Sequence, residues 1–198
     1  MRPLPLIYLT RHGQTDWNAE GRFQGQRDIP LNETGRGQAR ANGAALAARL
    51  GGADGFNFVA SPLDRTRETM EIVRGAMGLD PTDYRTDDRL KEMSFGDWEG
   101  LTMLEMEERA GRDVNAERER DKWNFRPPGE RAESYAALAE RVRPWLESVS
   151  GPTVAIIHGG VLRTLFHLVG GLAPEEAAHA PDPQDRVLRI EGNTIEWL

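Results

Sequence analysis

The sequence predicts an α/β fold, a three-layer α/β/α sandwich with a mostly parallel sheet, an antiparallel edge and a helical excursion over the functional site. Short apolar runs alternate with segments of helical periodicity, which is typical of such folds. Two of the apolar runs end on a histidine followed by glycine. The 198 residues fit one domain, 1–198, in which residues 101–129 are a candidate cap insertion.

The first half of the chain predicts two strands, each followed by a helix. The apolar run at 6–9 reads as a buried strand, and the helix after it has Asn32 as a candidate N-cap and the glycine pair 51–52 as its stop. A second strand is predicted at 56–61. The serine–proline pair at 61–62 is typical of a cap followed by the first helical turn, so the next helix should begin there.

The second half predicts a helix, a strand–helix pair and a hairpin. Apolar residues recur at helical spacing over 135–149, where Pro144 should kink or shorten the helix. "TVAIIHGG" predicts a strand that runs into glycines, and "VLRTLFHLVGG" a helix that leaves them. "RVLRI" and "TIEWL" flank Glu-Gly-Asn at 191–193, which favours a hairpin and supplies the antiparallel edge.

The stretch at 101–129 differs from the rest because its charges are dense and mixed and its apolar residues are few. Such a composition is typical of a solvated helix. A lid over the site would require Trp123, Phe125 or Arg126 to face the pocket. Both interpretations stay open from the sequence.

Composition excludes several classes of function. A net charge of −7 with no basic run argues against nucleic-acid or anionic-membrane partners, although a local cluster of cations could still bind an anion. The chain has no cysteine, so disulfides and thiol chemistry are excluded. No apolar run reaches the length that spans a bilayer, and no signal peptide is recognisable, so we expect a cytoplasmic protein.

Two histidines are expected at one edge of the sheet. His12 follows the first strand and His158 the strand before "GG", and ligands in open α/β sheets bind at the carboxyl ends of strands. Arg11 and Arg65 carry planar guanidinium forks that suit phosphate oxygens. Gly159 would let a ligand approach the backbone closely. We assign His167 to packing or a charge at a helix C-terminus, and His179 to no role.

The segment "RLKEMSFGDWEG" holds the candidate proton donors. Glu92 has apolar and aromatic neighbours, which could keep its carboxyl protonated for general-acid work. Glu99 and Asp97 lie in the same segment and are alternatives. Residue chemistry alone does not choose among the three.

Metal and nucleotide chemistry find little support in the motifs. There is no H-E-x-x-H, no histidine pair at helical spacing and no Asp-x-Asp run. Neither a P-loop nor a G-x-G-x-x-G after the first strand is present. We therefore expect no metal and no cofactor.

Four blocks in order resemble the histidine phosphatase superfamily, the phosphoglycerate-mutase-like enzymes. They are "LTRHGQTDWN" with the following "FQGQRDIPLNETGRGQA", then "SPLDRTRET", "RLKEMSFGDWEG" and "IIHGG", and together they cover nearly the whole chain. The sequence departs from the commonest pattern in two residues, since Gln14 stands where Glu is frequent and Thr15 where Ser also occurs. The stretch "ERAES" is longer than the usual region, so no role is carried onto it.

The resemblance implies a role for each matched residue. His12 would be the nucleophile that forms a phosphohistidine, and Glu92 the proton donor to the leaving group, with no metal required. The phosphoryl oxygens would be held by Arg11, Arg65 and His158. Asn18 and Gln24 would be supplementary phosphate or substrate contacts.

The resemblance also implies the substrate class, a small phosphorylated metabolite. The block "FGDWEGLTMLEM" and the compact length are similar to the phosphatase branch, so hydrolysis of a phosphomonoester is the first expectation. A cofactor-dependent phosphoglycerate mutase is the alternative. An inactive module that only binds phosphate esters is an alternative of another class. The oligomeric state is not predicted.

Overall fold

The computed structural model of the protein describes residues 3–198, which form one six-stranded sheet covered by helices. The strands in chain order are β1 (Leu4–Arg11), β2 (Asn57–Ala60), β3 (Arg85–Thr86), β4 (Thr153–Ile157), β5 (Leu188–Gly192) and β6 (Thr194–Trp197). The helices are α1 (Asp16–Ala19), α2 (Glu33–Leu50), α3 (Asp64–Ala76), α4 (Met103–Ala110), α5 (Val114–Glu119), α6 (Tyr135–Ser148), α7 (Gly159–Leu168) and α8 (Pro174–Ala178).

The sheet has the order β3-β2-β4-β1-β5-β6. Strands β1 to β4 pair in parallel, and β5 pairs antiparallel with both β1 and β6. In the predicted hairpin Glu191 pairs with Thr194, and Gly192 at the turn has a φ of 61°. The mixed sheet with an antiparallel edge is therefore confirmed.

Alternating side chains of the central strands build a core on each face of the sheet. On β4, Val154 and Ile156 pack toward α2 and α3, while Ala155 and Ile157 pack toward α6 and α7. This is the two-residue period of a strand that is buried on both faces. The three predicted layers follow from it.

The local predictions for the helices have different outcomes, and the one for the start of α3 is wrong. Helix α3 begins at Asp64 after Leu63, and Ser61 does not cap it. The Ser61 hydroxyl lies instead 2.8 Å from Nε2 of His158. Helix α6 runs without a break from Tyr135 to Ser148, so Pro144 does not shorten it. Asn32 does cap α2, by accepting a hydrogen bond from the Gly35 amide.

The stretch 101–129 is helical, but it is not a solvated helix without a core. Its two short helices bury Met106 and Val114 against Trp98, which precedes α4 in the chain. Phe23, Phe95, Leu101, Met103 and Phe125 pack around these three residues and complete what we call the aromatic cluster. Charged side chains of these helices, such as Glu108 and Arg109, are exposed to solvent, as on the polar face of an amphipathic helix.

No helix within residues 3–198 is long and apolar enough to cross a bilayer.

Candidate active site

His12 lies immediately after β1, at the carboxyl edge of the sheet. Its side chain is buried, and Nδ1 lies 2.8 Å from the carbonyl oxygen of Gly13. A carbonyl can only accept, so Nδ1 carries the proton and Nε2 holds the lone pair. Gly13 is required because a Cβ there would lie 2.2 Å from the Gly35 carbonyl oxygen of α2.

Two arginines adjoin the imidazole of His12. Arg65, on the first turn of α3, donates from Nε to His12 Nε2 at 3.2 Å and is held by the carbonyls of Arg27 and Gly25. Burial, followed by the charges of Arg65 and Arg11, holds the pKa of His12 well below 6.5. The ring is therefore neutral at physiological pH.

The guanidinium group of Arg65 itself remains charged. Burial lowers the pKa of Arg65 to about 10, which still leaves it a cation at neutral pH. Arg11, the last residue of β1, donates from Nη1 to Asp182. Among residues 3–198 the buried Nε of Arg11 has no hydrogen-bond partner.

His158 stands opposite His12 with 5.2 Å between the ring centroids. It ends β4 and forms the N-cap position of α7. Burial, then the charges of Arg65, His12 and Arg11, keep its pKa well below 6.5. Nε2 contacts the Ser61 hydroxyl, whereas the buried Nδ1 has no partner in the described part of the chain. If Ser61 donates to Nε2, the proton of the neutral ring resides on Nδ1 and is free for a ligand.

Glu92 lies at the N-terminus of α7, and its carboxylate accepts from the amides of Gly160 and Met93 at 2.8–3.2 Å. A Cβ at Gly160 would approach Glu92 Oε1 to 2.3 Å, so glycine is what lets the carboxylate reach this position. Two backbone donors therefore hold the carboxyl group in addition to the apolar neighbours that the sequence predicted.

Asn18 and Gln24 both line the same cavity as His12. The Asn18 side-chain oxygen is occupied by Thr15 and Gln184, so only its amide nitrogen is available to a ligand. Gln24 is buried, and its Oε1 has no partner within residues 3–198.

These side chains meet in a cavity of about 420 Å³. Sequence analysis missed four of its polar lining side chains: Arg22, Tyr135, Arg163 and Asp182. Arg163 follows the "HGG" motif by three residues, and this position, one helical turn after Gly159 in α7, was the available signal. Asp182 lies in a loop, and nothing in its sequence pattern points to the site. Burial raises the pKa of Tyr135, whose hydroxyl accepts from Arg163 Nη1.

Other candidates lie outside the cavity. Glu99 binds the amides of Gln26 and Phe95, so it anchors the loop beside the site. His167 packs against Trp123, and the exposed His179 bonds to Glu119. All of residues 101–129 are described and none lines the cavity; Trp123 lies in the main core, and Phe125 in the aromatic cluster. Arg126 bonds to the carbonyls of Ala132 and Glu130, so none of the three residues that a lid would require lines the cavity.

Within the described residues, no group of three or more His, Asp or Glu side chains is arranged to hold a metal ion. The cations of the cavity are arginines, and its buried unpartnered atoms include two nitrogens, Arg11 Nε and His158 Nδ1. Arginines and neutral imidazole donors at the carboxyl edge of a parallel sheet define a site for a small oxyanion.

The comparison with known families agrees with this class of site. The sequence model described as histidine phosphatase superfamily (branch 1) matches residues 7–197. The chain belongs to this superfamily, and the resemblance of its four sequence blocks is confirmed. It is an enzyme of the phosphatase or mutase kind.

Curated relatives of both kinds are similar over most of the chain. A 2,3-bisphosphoglycerate-dependent phosphoglycerate mutase of Methylobacterium radiotolerans is 35% identical, covering 96% of this chain and 91% of the relative. A glucosyl-3-phosphoglycerate phosphatase of Mycobacterium tuberculosis is also 35% identical, covering 83% and 74% respectively.

Solved structures show the same fold. The native mycobacterial glucosyl-3-phosphoglycerate phosphatase has a TM-score of 0.79 at 28% identity and covers 100% of this chain and 97% of its own. Its complex with VO3 has a TM-score of 0.80 at 28% identity, covering 98% and 96%.

Proposed function

We propose that the protein is a phosphomonoester hydrolase that acts through a phosphohistidine on Nε2 of His12. The observation that carries this proposal is the neutral, oriented imidazole: Gly13 holds Nδ1–H, and Nε2 lies beside Arg65 in a cavity that Arg11 also lines. A nucleophilic nitrogen must present a lone pair, and this tautomer does so.

Charge stabilisation comes from groups already in place. Phosphoryl transfer depends mostly on positioning and on neutralising the three equatorial oxygens. Arg11 Nε and His158 Nδ1 are buried donors available for that task, and Arg65 borders Nε2 itself. Asn18 and Gln24 are supplementary contacts, and the amide of Gly159 opens α7, whose N-terminus favours an anion.

The reaction would have two displacements. The His12 Nε2 lone pair attacks phosphorus and the ester P–O bond breaks, while the carboxyl of Glu92 gives its proton to the leaving oxygen. Water then attacks the phosphohistidine, Glu92 takes a proton from that water, and the P–N bond breaks to release inorganic phosphate. The position of Glu92 on the cavity wall, beside the Gly160 amide, supports this double use.

Two further arginines of the cavity, Arg22 and Arg163, favour hydrolysis over the mutase alternative. A mutase must hold a second phosphoryl group away from the nucleophile. Arg22 is bonded to Glu20 and Glu105, and Arg163 to Asp182, so carboxylates neutralise both cations. The mutase remains the second candidate because several relatives carry that name. The inactive binding module is disfavoured because every catalytic group is present.

We propose a small phosphorylated metabolite as substrate, in the cytoplasm, without metal, cofactor, nucleic acid or membrane. Esters related to 3-phosphoglycerate come first because the phosphatase relatives are named for such a compound. The stretch 101–129 remains a candidate cap insertion. A contact beside the cavity supports this interpretation: the guanidinium carbon of Arg118 is 5.9 Å from the ring centroid of Phe23, which lines the cavity.

An aryl-phosphate assay with a phosphoenzyme trap tests the proposal. His12→Ala should lower kcat at least about 10³-fold, whereas His179→Gln, which changes an exposed histidine, should retain activity. With a substrate labelled on its phosphoryl group, the labelled phosphoenzyme should survive an alkaline quench and lose its label in acid, as expected of phosphohistidine. A variant at His12 with unchanged turnover would refute the proposal. Mutase activity on 3-phosphoglycerate that exceeds hydrolysis would favour the second candidate.

A chelator tests metal independence separately. Most of the turnover should survive in EDTA. Loss of activity that zinc or magnesium restores would contradict this part of the proposal.

A further inference from the structure

The carboxylate of Asp182 lies between two arginines of the cavity, Arg11 and Arg163. Its Oδ2 is 3.0 Å from Nη1 of Arg11, and its Oδ1 is 2.7 Å from Nη2 of Arg163. The backbone carbonyl of Asp182 also accepts from Arg11 Nη1. One residue therefore holds the arginine that ends β1 and the arginine on the second turn of α7.

Packing fixes this carboxylate in place. A Cβ at Gly159 would lie 2.1 Å from Asp182 Oδ2, so the carboxylate lies against the bare backbone of α7. The same loop is tied to β1 two residues later, where Gln184 donates to the His12 carbonyl and to Asn18 Oδ1. Arg163 is also held by the Ala180 carbonyl and the Tyr135 hydroxyl.

The contacts of Arg11 are divided between this loop and the cavity. Nη1 is used by Asp182, whereas the buried Nε has no partner in the part of the chain that the structure describes. Because the guanidinium is planar and rigid, holding Nη1 also sets the direction of Nε–H.

We propose that Asp182 is a positioning residue for phosphoryl transfer, with two separable effects. It aims Arg11 Nε at the transferring phosphoryl group, and it neutralises part of the charge of Arg11 and Arg163 so that product phosphate is released. The proposal rests on the hydrolase function proposed above. Asp182 does not touch the reacting atoms itself.

The two effects predict opposite changes in Asp182→Asn. Loss of a charge-assisted hydrogen bond in the transition state should lower kcat about tenfold. Two arginines without their counter-charge should bind the phosphate dianion more tightly, so the inhibition constant of orthophosphate should fall several-fold. Asp182→Glu keeps the charge but moves the carboxylate, so it should restore phosphate affinity and leave kcat low.

The experiment compares wild type, Asp182→Asn, Asp182→Glu and Asp185→Asn for kcat, KM and orthophosphate inhibition. Asp185 is an exposed carboxylate of the same loop, so its variant controls for net charge and should behave as wild type. Calorimetric titration with inorganic phosphate measures the affinity without turnover. The charge effect is thus tested even if the chain hydrolyses no ester, an outcome that would refute only the hydrolase proposal.

A purely structural role gives a different pattern. It would lower kcat in proportion to the folded fraction, measured by thermal melting, and leave phosphate affinity unchanged. Either that pattern or wild-type values for both constants in Asp182→Asn would overturn the proposal. Full recovery of kcat in Asp182→Glu would overturn the positioning effect.

Discussion

The phosphoryl site and the aromatic cluster are built in different ways. The first uses Arg11, His12 and His158 at strand ends, Arg65 at a helix start and Glu92 on a connecting segment. Hydrogen bonds of 2.8–3.2 Å fix these side chains. The second is apolar packing among segments at 23, 95–106, 114 and 125. The chemical groups are thus placed by the rigid edge of a sheet, whereas the neighbouring wall depends on side chains that fill space.

The phosphoryl site and the aromatic cluster also differ in how they contribute to the stability of the fold. Polar groups at the phosphoryl site are buried at a cost that only hydrogen bonds or a ligand can offset. The aromatic cluster gains from burial and borders a second cavity of about 500 Å³ between α4, α5 and residues 125–128. We therefore expect changes at the first region to affect rates and changes at the second to affect folding.

The largest effect is expected for Glu92→Gln. Removal of the proposed general acid should slow esters with basic leaving groups by about 10²–10⁴-fold, and aryl phosphates far less, because a good leaving group needs no proton. The ratio of kcat/KM for an alkyl and an aryl phosphate measures this. Glu99→Gln is the matched variant and should not change the ratio, because Glu99 holds backbone amides outside the cavity. Equal losses on both esters would mean that Glu92 is not the acid.

A smaller effect is expected for Ser61→Ala. The Ser61 hydroxyl is the partner of His158 Nε2. Without it, neither the orientation of the imidazole ring nor the nitrogen that carries its proton is held in place. We expect kcat for an aryl phosphate to fall about tenfold with little change in melting temperature. Ser150→Ala alters an exposed serine and serves as control. Unchanged kcat would show that His158 does not depend on Ser61.

Two methionine substitutions compare the aromatic cluster with the core between the sheet and α3. Met70→Ala, in the core between the sheet and α3, should lower the free energy of unfolding by about 3 kcal/mol. Met106→Ala should cost about 2 kcal/mol, because part of its environment already opens into the second cavity. Denaturant unfolding measures both values. Aryl-phosphate kcat of folded Met106→Ala should stay within about twofold of wild type; a large loss would mean that the cluster supports the chemistry.

The smallest effect is expected on the stability of the fold at mildly acidic pH. Burial and nearby arginines lower the pKa of His12 and His158, so the folded protein holds both rings neutral. The unfolded chain takes up protons below about pH 6.5. Each ring should therefore destabilise the fold as pH falls below that value, by up to about 1.4 kcal/mol per pH unit.

Thermal melting between pH 7.5 and 5.5 checks this expectation. His158→Gln should show a shallower decline than wild type over the same range. A His158→Gln variant whose melting temperature falls as steeply as that of wild type would contradict it.

The site was readable from the sequence where chemistry and topology coincide. Arg11-His12-Gly13 and His158-Gly159 follow apolar runs, and parallel strands bring such ends to one edge. The ordered family blocks selected Arg65 and Glu92. Asp182 and Arg22 were not readable, because loops with no local periodicity carry them to the cavity and only long-range contacts define their partners.

The sequence by itself determined the α/β class, the mixed sheet, the superfamily and the position of the histidine pair, because periodicity and short motifs are local properties. Only the tertiary structure decided that Ser61 contacts His158 instead of capping a helix, and that 101–129 has an apolar cluster and contributes no cavity wall. Contacts such as those of Ser61 and Asp182 join residues about 97 and 171 positions apart in the chain. Their energies depend on how the layers pack, which no local pattern encodes.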